Sequence, residues 1–69
     1  MSTVQIRLNG EPKQVLSNLT LRALLDQLGL GVDGIAVAMN RRVIPKSQHA
    51  TTHIPDGAEI EVIRAVGGG

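Results

Sequence analysis

The chain has 69 residues, no Cys and no Phe, Tyr or Trp, and its 7 basic and 6 acidic residues leave a net charge of +1. That composition excludes disulfides, thiolate catalysis and Cys-ligated metal. It also leaves no aromatic platforms for single-stranded nucleic acid, and the scattered arginines form no phosphate-tracking patch. A chain this short is one domain that buries only about 60% of its unfolded surface, so its core must be built from Leu, Ile and Val.

In chain order, Val4, Ile6 and Leu8 alternate with Thr3, Gln5 and Arg7, the period-two pattern of a half-buried strand. Asn9-Gly10 follows, a hairpin signal because both turn positions tolerate φ > 0. Lys13 to Leu16 is the expected return strand, and Pro12 early in it suits an edge or a strand start. Thr20 is placed to cap a helix. Leu21, Leu24, Leu25 and Leu28 then fall at i, i+3, i+4 and i+7, one apolar stripe, with Leu19 and Leu24 spaced for a hydrophobic staple. Gly29 sits where such a helix ends. So short a helix is unstable alone and must lie on a sheet.

Residues 31–34 form a predicted loop. Ile35 to Met39 is an apolar run whose length suits a central strand buried on both faces; its alanines would let another surface approach closely on one side. Asn40-Arg41 turns the chain, Arg42 to Ile44 make a short strand, and Pro45 stops it. Lys46 to Thr52 is polar and irregular, with room for one helical turn. Pro55-Asp56-Gly57 is a tight turn. Glu59 to Val66 is the last strand, with Ile60 and Val62 toward the helix and Glu59, Glu61 and Ile63 away from it. The longest apolar run is far too short to span a bilayer, and no leader pattern precedes the first strand. The expectation is a soluble cytoplasmic protein that touches neither membrane nor nucleic acid and is monomeric when free.

The order strand, strand, helix, strand, strand, strand places two hairpin-like units about one helix. It predicts an α+β, β-grasp (ubiquitin-like) fold: a mixed sheet of four to five strands with the helix across one face. The domain would span 1–66, with 67–69 a flexible glycine tail. Val66, Gly67, Gly68 and Gly69 follow the last strand directly. Glycine barely restricts φ and ψ and carries no side chain, so this tail is thin enough to thread a narrow active-site channel and extends roughly 10 Å at about 3.4 Å per residue. The reactive group would be the Gly69 carboxylate. It is ionised at neutral pH and becomes electrophilic only once a leaving group, such as adenylate, is attached. The plain alternative is a frayed terminus or an expression remnant.

The Asn9-Gly10 hairpin, the Leu21 to Leu28 helix, Ala38-Met39-Asn40 with Val43-Ile44-Pro45-Lys46, the run from Asp56 to Ile63, and the closing Val66-Gly67-Gly68-Gly69 together resemble the ThiS family, the small sulfur carriers of thiamine biosynthesis. The resemblance covers essentially the whole chain. It departs at one place, where many members carry an aromatic residue after the Pro-Lys/Arg pair and this loop offers His49. The resemblance implies a protein co-substrate and no catalytic residue of its own. An E1-like adenylating enzyme would use ATP and Mg on Gly69, and the carrier itself would need no cofactor. Sulfur taken from cysteine by a desulfurase would leave a thiocarboxylate, and thiazole synthase would accept that sulfur. Val66, Gly67 and Gly68 would thread the partner's active site, and Ile63 and Arg64 are candidate docking residues.

Other readings stand beside this one. The same chemistry serves the small subunit of molybdopterin synthase, a ubiquitin-like modifier would pass its carbonyl to lysine, and a plain β-grasp binding module would use no tail chemistry. His49 and His53 are spaced to ligate a metal on a helix, but the stretch is Thr-rich, precedes Pro55 and offers no third ligand. Arg41-Arg42 reads as a solvated turn. The six acids form no convergent pair for acid–base work.

Overall fold

The computed structural model describes residues 2–30 and 34–64. Residues 31–33 of the predicted loop and residues 65–69, which include Val66, Gly67, Gly68 and Gly69, lie outside the described residues. The elements are β1 (Thr3–Leu8), β2 (Glu11–Leu16), α1 (Leu21–Gln27), β3 (Ile35–Met39), β4 (Arg42–Ile44), a 3-10 turn (Lys46–Gln48) and β5 (Glu59–Arg64). They build a mixed five-stranded sheet in the order β2-β1-β5-β3-β4 with α1 across one face, the β-grasp arrangement expected from the sequence.

Local chemistry accounts for each boundary. Asn9 (φ 51°) and Gly10 (φ 85°) both take positive φ, so the turn needs only two residues and β2 begins at Glu11, two residues earlier than the predicted Lys13. Pro12 is thus inside β2. It is tolerated because β2 is an edge strand, where a missing N–H faces no partner. At the helix start the Thr20 hydroxyl accepts from the Ala23 N–H at 3.1 Å. The N–H groups of Leu21 and Arg22 find the carbonyls of Thr52 and His49, each at 3.0 Å. These bonds satisfy the donors that a helix start leaves orphaned, and they tie the polar 46–53 loop to the helix. At the other end Gly29 (φ 74°) donates to Asp26 at 3.1 Å and Leu30 to Leu25 at 3.0 Å, the paired bonds of a Schellman motif.

The core lies between α1 and the sheet. Leu21, Leu24 and Leu25 meet Ile6, Val37 and Ile60, each at most 1% exposed. Burying such a side chain contributes about 1.5–3 kcal/mol. Ile54 and Ala58, from the segment before β5, are buried with them.

One expectation needs correction. β3 is an inner strand, between β5 and β4, but it is not buried on both faces: Val37 is buried while Ala36 is exposed. A second layer would be needed to cover the alanine face, and the one helix packs on the other side. His49, in the polar loop, is only 2% exposed. Its Nε2 lies 2.9 Å from the Ile44 carbonyl. Since a carbonyl only accepts, Nε2 donates, and this nitrogen is engaged in the fold rather than offered to a metal. Nδ1 is buried without a hydrogen-bond partner. Among the described residues no three His, Cys, Asp or Glu converge on a metal-sized space.

Candidate functional site

β5 is the strand from which the chain proceeds to Gly69, and its position follows from its neighbours. On one flank β3 pairs antiparallel over five residues, from Met39↔Ile60 to Ile35↔Arg64. On the other flank β1 pairs parallel at Arg7↔Glu59 and Leu8↔Ile60 only. Beyond Leu8 the turn residue Asn9 takes over: its N–H donates to the Ile60 carbonyl at 2.8 Å, and its Oδ1 accepts from the Val62 N–H at 2.9 Å. Asn40 (φ 53°) does the same at the other end of β5. Its N–H donates to the Glu59 carbonyl at 2.8 Å and its Oδ1 accepts from the Glu59 N–H at 2.9 Å.

Side chains alternate along β5 as expected. Ile60 is buried toward α1, and Ile63 points to the open face and is 58% exposed. The strand register puts Ala36 opposite Ile63, Ala38 opposite Glu61, and Val43 opposite Ala38. The open face therefore carries an apolar strip of Ile63, Ala36, Ala38 and Val43, the last 71% exposed. Glu61 and Glu59 stand beside it in β5. Arg41, at 88% side-chain exposure, approaches Glu59 at 4.0 Å, a surface pair of small energetic consequence.

The two predicted docking residues are both exposed, but they project to opposite faces. Ile63 lies with the apolar strip, whereas Arg64 is in phase with Ile60 and Val62 at the end of the helix-side face. Val43 belongs to the strip and was missed by sequence reasoning. The signal was there: a two-residue turn at Asn40-Arg41 forces Met39↔Arg42 and then Ala38↔Val43, which puts Val43 on the alanine face. The reach of the two asparagine side chains to β5 had no such signal. The predicted threading residues Val66, Gly67 and Gly68 and the predicted reaction site Gly69 lie outside the described residues.

Comparison with known proteins adds the following. Residues 6–69 match the ThiS family. The chain is 32% identical over 66 residues to the sulfur carrier protein ThiS of Escherichia coli strain K12, covering 96% of this chain and 100% of that protein. It is 33% identical over 66 residues to a thiazole synthase of Paramagnetospirillum magneticum. There the match covers 96% of this chain but 20% of that much longer protein. A crystal structure of the thiamine biosynthesis protein (ThiS) from Geobacter metallireducens superposes with a TM-score of 0.83 at 26% identity, covering 96% of this chain and 100% of that one.

Proposed function

The chain belongs to the ThiS family, and on that premise we propose that it is a sulfur carrier supplying thiazole formation in thiamine biosynthesis, with Gly69 as the residue that carries the sulfur. The observation that carries this reading is the extent of the match: it runs through residue 69 and spans the whole of the Escherichia coli sulfur carrier. The chain acts as a co-substrate. An adenylating enzyme would join the Gly69 carboxylate to the α-phosphate of ATP, with Mg, releasing pyrophosphate. A persulfide bearing sulfur from cysteine would then attack the acyl carbonyl through its terminal sulfur, form the C–S bond and expel AMP; a thiol would cleave the S–S bond of the resulting acyl disulfide, forming a disulfide with the carrier of the persulfide and leaving the thiocarboxylate. The chain's own contribution is delivery: β5 ends at Arg64, from which the sequence runs on directly into Val66-Gly67-Gly68-Gly69, and the apolar strip around Ile63 offers a surface to the enzyme that receives them.

Thiazole synthase is the proposed sulfur acceptor. The likeness of this chain to a fifth of a thiazole synthase supports that pairing, because it shows a segment of this kind carried within such a protein. Among the described residues no helix is long and apolar enough to cross a membrane. The test is the intact mass of the purified chain, first alone, to establish that Gly69 bears the free carboxylate. The second measurement follows incubation with the adenylating enzyme, ATP, Mg and a sulfur donor. One oxygen-for-sulfur exchange located at Gly69 is the expected result. No exchange, or capture of the carbonyl by a lysine of another protein, would set the reading aside in favour of a binding module or a modifier.

A further inference from the structure

We propose that Asn9 is a positioning residue for the chemistry at Gly69, an inference that rests on the carrier reading above. β5 is held along both flanks only as far as Ile60, where the β1 ladder ends at Leu8↔Ile60. Past that point the β1 flank has no strand, and the Asn9 carboxamide stands in for one by accepting from the Val62 N–H at 2.9 Å. Together with the Asn9 N–H on the Ile60 carbonyl at 2.8 Å, this carries the hydrogen bonding of the β1 flank on from Ile60 to Val62. It adds one rung to the sheet at the end of β5 nearest Gly69. Without that rung the whole stretch from Val62 to Arg64 would be held from the β3 side alone. A partner enzyme would then have to order that stretch as it binds, and ordering costs about a factor of ten in affinity per residue fixed. The effect belongs in KM for the carrier, not in the rate of the chemical step at saturation.

Asn40 supplies the internal control. It uses the same left-handed turn geometry and the same carboxamide contact, but grips Glu59 at the start of β5. A merely structural role predicts the same consequence for losing either carboxamide; a positioning role predicts that only Asn9 matters for sulfur transfer. Glycine separates the turn from the grip, because it accepts the φ of 51° that Asn9 adopts and has no side chain. Aspartate keeps an acceptor oxygen and also tolerates this conformation.

The experiment compares Asn9→Gly, Asn9→Asp and Asn40→Gly in the full chain, by amide hydrogen exchange and by KM for the adenylating enzyme. In Asn9→Gly the Val62 amide loses about tenfold protection while core amides such as Ile6 keep theirs, and KM rises about tenfold with kcat unchanged. Asn9→Asp restores both, and Asn40→Gly exposes the Glu59 amide with KM unchanged. The proposal is overturned by unchanged protection at Val62 in Asn9→Gly, by an equal rise of KM in Asn40→Gly, or by loss of all protection in Asn9→Gly, which would make the carboxamide a folding determinant. A wild-type chain that is never converted overturns the carrier reading and this role with it. A wild-type chain that is converted no better than Asn9→Gly overturns this role alone.

Discussion

Arg41 is held at φ 69° in the second position of the β3–β4 turn, a conformation that suits glycine or asparagine and not arginine. The strain is about 1–2 kcal/mol, against about 0.5–1 kcal/mol of extra backbone entropy that glycine loses on folding. The side chain is 88% exposed and its contact to Glu59, at 4.0 Å, is too long and too wet to offset the difference. Arg41→Gly is therefore expected to stabilise the fold by about 0.5–1 kcal/mol, measured as a rise in the urea midpoint at constant slope; a fall would show that the surface pair outweighs the strain. His49 stands in a Thr-rich polar loop where no sequence signal marks its burial; it is buried, with Nε2 donating to Ile44 and its own carbonyl accepting from Arg22. Those bonds join residues brought together by the tertiary fold, and no local pattern encodes them.

At the scale of elements, α1 was the most legible. Its stripe, its Thr20 cap and its Gly29 stop each have a local cause, and all three are present. Leu24 and Leu25 are 0% and 1% exposed. Truncating either to alanine is expected to cost about 2–5 kcal/mol, a large part of the roughly 5–10 kcal/mol available to a domain of this size. Urea unfolding reads this directly, and an unchanged midpoint in both variants would remove the stripe from the core. β3 was legible as a strand but not in its environment. Five apolar residues in a row look alike whether one face or two are covered, and the alanines hide which face is bare. The edge strand β2 began earlier than expected because the turn before it needed only two residues.

At the scale of the molecule, the order of elements along the chain was readable but the order of strands in the sheet was not. The β1–β5 pairing joins Leu8 to Ile60, a contact between distant parts of the chain that follows from packing on α1 and not from any local signal. That pairing makes β5 the middle strand, while the register of β3 and β4 lays the apolar strip beside it. An aspartate at Ile63 is expected to leave the melting temperature nearly unchanged, since exposed substitutions shift stability by about 0.5 kcal/mol or less, and to weaken association with the adenylating enzyme in a pull-down. Full association with an intact fold would take Ile63 out of the docking surface. The central claim is that the Gly69 carboxylate is the chemical handle and the rest of the chain its mount. Reacting atoms must approach to about 3–3.5 Å, and a displacement of 1 Å can cost about a hundredfold. Removing one residue moves the carboxylate by roughly 3.4 Å. The most direct measurement is thiocarboxylate formation by intact mass on the chain with and without Gly69, with a melting curve of each. Conversion of the full chain, none of the shortened one, and equal melting temperatures are expected; conversion of the shortened chain at the rate of the full one would take Gly69 out of the chemistry.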